Sequence, residues 1–169
     1  MNQAMAVRAG HSRLLSQSTA RLIALLLPAA LLAGAFGSEY FGGLVPCEMC
    51  MYQRYPHYAA IVAAVLAILL RRTALSLPLT MLAGLLILTS GGIGAYHAGG
   101  EYHWWHLPQH CSGQATGNGA DFLKSLLAQP LIRCDEPQWT LFGISLAGFN
   151  AIFSIAGGLT VLVLCLKRR

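Results

Sequence analysis

Long apolar runs alternate with short polar segments along this chain. Four of these runs cover about residues 21–38, 55–71, 74–96 and 141–166. A helix needs roughly 20 mostly apolar residues to cross the core of a bilayer, because its backbone groups must all pair within the segment. The pattern therefore predicts four transmembrane helices that pack as one bundle.

The second run is the weakest of the four, since its uninterrupted apolar part starts only at Tyr58. It reaches spanning length if the helix extends back to about residue 55 and Arg54 places its charge at the interface. Pro56 permits a helix start or a kink and disfavours helical geometry at the residue before it. How the chain passes Pro56 therefore decides where the side chain of Arg54 points.

Composition and length indicate an all-α membrane protein of one domain. Of the 169 residues, 56% are hydrophobic and only 10% are charged, whereas soluble domains carry about a quarter charged residues. One domain is also the usual expectation at this length.

The basic residues gather on one side of the predicted membrane. Eight of the eleven lie before or at the start of the first run, between the second and third runs, or after the fourth: Arg8, Arg13, Arg21, Arg71, Arg72, Lys167, Arg168 and Arg169. By the positive-inside rule this side is cytoplasmic, so both termini are cytoplasmic and the loops 39–54 and 97–140 are external. Because the charges lie at membrane edges and not in one patch, no nucleic-acid partner is expected.

The second external loop contains one segment with helical character, DFLKSLLA at residues 121–128. Asp121 can cap it, and four apolar side chains then form a stripe. The segment is predicted to be a short amphipathic helix, which could rest on the membrane surface or pack within the loop.

The N-terminal region allows an alternative. Its basic residues, its apolar stretch and the small residues Ala33 to Ala35 are also typical of a cleaved signal peptide. Three spans in the same orientation would then remain. The apolar run continues to Ser38, which is longer than an ordinary signal core, and this length favours an intact first helix.

Four of the five cysteines fall in the external loops. Cys47 and Cys50 lie in the first loop, and Cys111 and Cys134 lie in the second. Cys165, near the cytoplasmic end of the fourth run, is expected to be a packing residue. Disulfides form on the oxidising side of a membrane, so each external loop holds two cysteines that can oxidise.

The Cys47/Cys50 pair has three possible uses. A structural staple would close only a few residues and remove little unfolded-state entropy. A zinc site would need further ligands, which the segment HWWHLPQHC of the second loop could offer. A redox pair at a helix start would have its thiolate stabilised by backbone amides, and by Arg54 if the helix continues. The spacing favours the redox interpretation.

The second pair, Cys111 and Cys134, is 23 residues apart in the long loop. A bond between them could open to exchange with an incoming thiolate, or it could be a staple for the loop. Two redox pairs on one membrane face can form a relay, in which one pair meets a soluble partner and the other passes electrons onward. Since the chain has no haem or flavin signature, a lipid-soluble quinone is the expected acceptor.

Specific motifs stand in a fixed order along the chain. They are PCEMCMYQR in the first loop, AYHAGGEYHWW at the end of the third run, Cys111, and RCDEPQWTLFGISLAGFNA from Cys134 into the fourth run. Together they resemble the DsbB family of bacterial membrane thiol oxidases, from about Val45 to the end of the chain. The resemblance implies a four-helix bundle in the bacterial inner membrane, with both termini cytoplasmic and two periplasmic loops.

The resemblance also implies a mechanism. The partner would be a thioredoxin-like periplasmic oxidase of the DsbA type, whose thiolate attacks Cys111 in a Cys111–Cys134 disulfide. The electrons would pass to Cys47–Cys50, and Cys50 would reduce ubiquinone or menaquinone from the membrane pool.

Three further residues match the quinone side of the family. Arg54 matches the family's arginine just after the C-x-x-C, and His97 and Trp139 fall where the family places other quinone-side residues. On residue type alone, His97 could be an interfacial histidine and Trp139 an aromatic of the membrane belt.

Two functions of other classes remain open. His57 and His97, near the external ends of neighbouring runs, could ligate a haem inside the bundle, which predicts a Soret band. Alternatively, the disulfides could be staples of a membrane scaffold or metal-binding protein. That alternative predicts that Cys47→Ser and Cys111→Ser leave thiol oxidation unchanged.

Overall fold

The structure is a computed structural model that describes residues 2–107 and 133–167, with the backbone alone for residues 2–15. The described residues form four long helices: α1 (Asn2–Tyr40), α2 (Glu48–Leu69), α3 (Ser76–Glu101) and α4 (Leu146–Leu166). The predicted all-α membrane fold with a four-helix bundle is confirmed. The amphipathic helix predicted at residues 121–128 lies outside the described residues.

Each helix of the bundle packs against two neighbours. α1 and α3 each contact both α2 and α4, while α1 and α3 barely touch each other. Small side chains dominate the core, and they let helix backbones approach closely, which drives helix packing in a membrane. The buried core residues are Ala20, Ala24, Ala60, Ala63, Ala64, Ala83, Ile87, Val161 and Cys165.

Among the described helices, three are long and apolar enough to cross a membrane: residues Ser16–Tyr40 of α1, the whole of α3 and the whole of α4. Large apolar side chains are exposed on their outer faces, as expected of surfaces that contact lipid. α2 does not reach the same apolar length, because its first half carries Gln53, Arg54 and His57. A fourth span at α2 stays a prediction.

α2 begins at Glu48, earlier than the span predicted from residue 55, and it continues through Pro56. Its N-cap is Cys47, whose Sγ accepts a hydrogen bond from the Cys50 backbone N–H at 3.2 Å. The thiol thus takes the place of the hydroxyl or carboxylate that usually caps a helix. As a result, the C-x-x-C motif forms the first turn of α2 and Arg54 lies in the second.

α4 begins at Leu146, later than the span predicted from residue 141, because residues 140–145 form a hairpin. Strands β1 (Thr140–Leu141) and β2 (Ile144–Ser145) pair antiparallel. Phe142 and Gly143 have φ values of 51° and 78°, the left-handed conformation that a tight two-residue hairpin turn requires. Ser145 then caps α4, with its Oγ accepting from the Gly148 N–H at 3.1 Å.

α3 and α4 approach closely at Gly91. A Cβ there would lie 2.9 Å from Ile155 Cγ1 and 3.0 Å from the Ile155 backbone nitrogen, so one helix would have to move. We expect Gly91→Ala to lower the thermal unfolding midpoint in detergent, through an overpacking cost of about 1–3 kcal/mol. Gly92→Ala is the matched control, since a Cβ there meets nothing within 4 Å. Equal midpoints for the two variants would contradict the close approach.

Candidate functional site

Cys47 and Cys50 form a thiol pair at the start of α2. Their sulfur atoms are 2.9 Å apart, with the Cys47 thiol donating to Cys50 Sγ. Accepting this hydrogen bond lowers the pKa of the Cys50 thiol, and the positive charge of Arg54 acts in the same direction. Donating the bond, together with burial, raises the pKa of Cys47. Cys50 is therefore the sulfur that ionises first.

The order of ionisation can be measured by alkylation. Because the pKa of Cys50 is lowered, its reaction with iodoacetamide in the reduced protein should begin below the pH at which an ordinary thiol reacts. Cys47→Ala removes the hydrogen-bond donor, so the curve of Cys50 alkylation rate against pH should move to higher pH. Cys47→Ser keeps a donor and should move this curve less. Mass spectrometry of the Cys50 peptide follows the reaction. An unchanged curve in Cys47→Ala would show that the hydrogen bond does not control Cys50.

Cys134 lies against the first pair. It is disulfide-bonded and only 3% exposed, and it packs in one cluster with Cys47 and Leu107, with Met49 and Cys50 at the border. Cys111 lies outside the described residues. The structure therefore brings Cys134 to the predicted C-x-x-C site.

Two hydrogen bonds tie the external loops together. The Gln138 side-chain amide donates to the Val45 carbonyl at 2.7 Å, and the Val45 N–H donates to Gln138 Oε1 at 3.2 Å. This Val45–Gln138 clasp joins the residues just before Cys47 to those just after Cys134. It explains in part why the two cysteines share a cluster.

His97 of α3 is buried and points its ring at Cys47. Its Nδ1 lies 2.9 Å from Gln53 Nε2, and since an amide nitrogen only donates, Nδ1 accepts and Nε2 carries the proton. Nε2 lies 3.7 Å from Cys47 Sγ and 3.7 Å from Glu101 Oε1, and the His97 ring also bonds the Cys134 backbone. The predicted residue His97 thus contacts both cysteine pairs.

Glu101 connects this site to α4. Its carboxylate accepts a hydrogen bond from the Ser145 hydroxyl, and the Ser145 backbone N–H donates to Tyr102 Oη at 3.0 Å. The end of α3 is thereby fixed to Ser145, the N-cap residue of α4. Glu101 had no assigned function in the sequence, and its contact with His97 identifies it as a member of the site.

A polar network inside the bundle holds Gln53 in place. Gln53 Oε1 accepts from Asn150 Nδ2 at 2.8 Å, and Asn150 Oδ1 lies 3.0 Å from His57 Nε2. Ser90 and Ser154 complete the network, with hydroxyls 2.9 Å from His57 Nε2 and 2.8 Å from Asn150 Oδ1. Within the part of the chain that the structure describes, His57 Nδ1 has no partner.

Sequence reasoning missed Gln53 and Asn150 as parts of the site. Asn150 did carry a signal, since it is the single amide side chain in a helix that is otherwise apolar or small. A buried amide needs hydrogen-bond partners, and besides Ser154 of its own helix Asn150 finds them on α2 and α3. The haem alternative would require His57 and His97 to leave Asn150 and Gln53.

Arg54 reaches away from the cysteines toward α1. Its Nη1 pairs with Glu39 Oε2 at 2.7 Å, and its guanidinium lies over the Phe36 ring, 5.1 Å from the centroid. The side chain is 8% exposed. The charge still acts on Cys50, but the direct hydrogen bonds of Arg54 go to α1.

A cavity of about 220 Å³ opens beside the thiol pair, between α1, α2 and α4. Its walls are mostly apolar, and all the predicted quinone-side residues line it: Cys50, Arg54, His97 and Trp139. Trp139 also packs on Phe149, with ring centroids 6.4 Å apart. An apolar slot with a few polar groups suits a flat, lipid-soluble ring, so these residues fit a quinone headgroup.

Comparison with known proteins gives consistent matches. Residues 17–164 match the model of the family described as "Disulfide bond formation protein DsbB". A disulfide bond formation protein B of a Polaromonas species is 32% identical, over 85% of this chain and 89% of the relative. That of Marinobacter nauticus is 30% identical, over 76% and 79%. An uncharacterised Rickettsia prowazekii protein is 25% identical, over 79% of each chain. No solved structure matches.

Proposed function

Because this chain belongs to the DsbB family of disulfide bond formation proteins, we propose that it is a membrane thiol:quinone oxidoreductase. It reoxidises a periplasmic dithiol carrier of the DsbA type and passes the electrons to ubiquinone or menaquinone. The observation that carries the proposal is the cluster of Cys47, Cys50 and Cys134 beside a cavity lined by Arg54 and His97.

The first step is exchange with the carrier. One thiolate of the carrier attacks a sulfur of the Cys111–Cys134 disulfide and forms a mixed disulfide, which the second carrier thiolate then resolves. The carrier becomes oxidised, and Cys111 and Cys134 become thiols. The burial of Cys134, which is 3% exposed, favours Cys111 as the sulfur that the carrier attacks, because access controls the exchange rate.

The second step is exchange between the two pairs. Cys134 and Cys47 share one cluster, so the thiolate of the second pair can attack the Cys47–Cys50 disulfide without a large movement. Two electrons then reside on the first pair as two thiols, and the second disulfide is restored. The described thiols Cys47 and Cys50 and the disulfide-bonded Cys134 correspond to this electron-loaded state.

The third step takes place at the cavity. When bound, a quinone accepts two electrons and two protons and leaves as the quinol. Cys50 lines the cavity and ionises first, so it is the sulfur that donates, and Cys47 then closes the disulfide. Arg54 supplies positive charge near the Cys50 thiolate, while His97 holds a proton at Nε2, 3.7 Å from Cys47 Sγ.

The same proposal includes four spans in the bacterial inner membrane with both termini cytoplasmic. The cysteine site lies at the end of the bundle where α2 begins and α3 ends, and Arg71 and Arg72 lie in the turn at the opposite end. The basic turn faces the cytoplasm by the positive-inside rule, which places the cysteines in the oxidising periplasm.

Anaerobic mixing of purified protein with a reduced DsbA-type carrier and a soluble quinone analogue tests the proposal. We expect one quinone to be reduced for each carrier dithiol oxidised, and the quinone absorbance measures this reduction. Omission of the protein gives the uncatalysed rate. A wild-type rate equal to that background, with a carrier that other thiol oxidants can oxidise, would refute the proposal.

A further inference from the structure

We propose that the reduced site also binds a thiophilic divalent cation of the zinc class, through Cys47, Cys50 and His97. The binding itself goes beyond the redox function and needs neither carrier nor quinone. Only its consequence, a block of electron transfer, rests on the proposed function. The third ligand is His97, whereas the sequence offered the segment HWWHLPQHC as the source of further zinc ligands.

The ligand atoms already converge. Cys47 Sγ, Cys50 Sγ and a ring nitrogen of His97 all lie within 4.8 Å of one another, and His97 Nε2 is 3.7 Å from Cys47 Sγ. A tetrahedral zinc ion, with bonds of about 2.3 Å to sulfur and about 2.0 Å to nitrogen, holds such ligands about 3.5–3.8 Å apart. The histidine is therefore already at a suitable distance from Cys47.

The two sulfur atoms, 2.9 Å apart, must separate by about 0.9 Å to reach the spacing of a tetrahedral zinc site. Loss of both thiol protons removes the hydrogen bond that holds them together, and the resulting thiolates repel. Cys50 is half-buried at the cavity wall and has room to turn. The required movement is thus a side-chain rotation at one residue.

Charge balance selects a divalent ion. Cys47 and His97 are 5% and 2% exposed, and an uncompensated charge is costly at such a depth. One divalent cation, two thiolates and a neutral imidazole sum to zero, whereas a monovalent ion would leave a negative charge. Binding releases two protons, Zn²⁺ + 2 RSH → Zn(SR)₂ + 2 H⁺. A water from the cavity can fill the fourth position without changing the balance.

His97 must also free its Nε2 lone pair, so the ring proton moves to Nδ1. Gln53 then has to accept instead of donate, which a 180° rotation of its amide achieves at the loss of its bond to the Met49 carbonyl. Asn150, its hydrogen-bond partner, keeps that bond if its own amide also rotates, and it then gives up its bond to the Ser90 carbonyl. A ring nitrogen held by a second side chain is typical of histidines that bind metals.

Binding of this kind depends on the redox state. The disulfide form of Cys47 and Cys50 has no thiolates to offer, so only the electron-loaded protein takes the ion. The ion then holds both sulfurs, and they cannot close the disulfide. On the proposed function, it stops the cycle before quinone reduction.

The test uses the full-length protein in detergent under argon, without carrier or quinone, titrated with Co²⁺ as the spectroscopic probe and then displaced by Zn²⁺. We expect one Co²⁺ per reduced chain, with sulfur-to-cobalt charge transfer and the visible bands of a tetrahedral site, and none of these bands in the oxidised protein. This comparison needs no variant. Equal spectra for the reduced and oxidised proteins would overturn the proposal.

Variants identify the ligands. Cys50→Ser should lower the charge-transfer intensity per bound Co²⁺ to that of a single thiolate, because only Cys47 remains, and His97→Asn should weaken Co²⁺ binding by about 10- to 100-fold. Cys165→Ser and the double variant Cys111→Ser/Cys134→Ser should keep the site, because they leave its three ligands in place. Loss of the band in the double variant, or an unchanged affinity and spectrum in His97→Asn, would also overturn the proposal. A protein that binds Co²⁺ but does not reduce quinone would refute the proposed function alone.

Discussion

Replacing Cys50 with serine is expected to reduce quinone-coupled oxidation of the carrier to the uncatalysed rate. Cys50 lines the cavity and is the thiol with the lowered pKa, so on the proposed function it is the sulfur that gives up electrons. A serine hydroxyl occupies nearly the same volume but cannot form a disulfide. The variant should therefore fold normally and fail only in electron transfer.

Single-turnover measurements separate this effect from general damage. Cys50→Ser should still oxidise up to one equivalent of carrier with the proposed Cys111–Cys134 disulfide and then stop. Cys165→Ser is the matched control, because it removes a buried thiol in the distant core and should turn over like the wild type. Sustained turnover by Cys50→Ser would contradict the assignment of Cys50.

Replacing Arg54 with methionine is expected to lower kcat/KM for quinone by about 10- to 100-fold. The change deprives Glu39 of its 2.7 Å partner and removes positive charge near the Cys50 thiolate. A hydrogen bond to a charged group contributes about 1.5–3 kcal/mol, which sets the size of the effect. Exchange of the carrier with the second pair should keep its wild-type rate, since Arg54 lies at the cavity.

A double variant shows which consequence dominates. Arg54→Met leaves the Glu39 carboxylate, which is 26% exposed, without its ion-pair partner, so the thermal midpoint should fall. Adding Glu39→Gln removes that unpaired charge and should restore the midpoint but not the quinone rate. Arg54→Lys keeps the charge but not the planar guanidinium, so its quinone rate should lie between those of the wild type and Arg54→Met. Wild-type quinone kinetics in Arg54→Met would contradict the electrostatic assignment.

The sequence predicted the bundle well because a bilayer imposes a simple rule on composition. Any helix that crosses it must be long and apolar, and α3 and α4 satisfy that rule along their whole length. α2 was the uncertain element for a physical reason, since Gln53, Arg54 and His57 are buried between helices. Hydropathy describes how well a side chain suits an apolar medium, and it does not register that a polar side chain can be buried against other helices.

The sequence identified part of the candidate site, but it did not predict the contacts between its residues. Cys47, Cys50, His97 and Trp139 were identified by motif and position, and all of them line one cavity. The partner of Arg54 was not identified, because Glu39 belongs to another helix and the sequence spacing of the two residues does not show that they are in contact. The cap formed by Cys47 was also missed, since cysteine is not a usual N-cap residue.

On the proposed function, the clasp between Val45 and Gln138 also has a kinetic consequence. A tether converts an encounter between two groups into an intramolecular event with an effective concentration that the fold sets. Exchange between Cys134 and Cys47 is then first order, and its rate does not depend on how many copies the membrane holds. Only the meetings with the carrier and the quinone scale with their abundance. The cell can therefore regulate the flux through these two diffusing species, while the internal transfer keeps a constant rate.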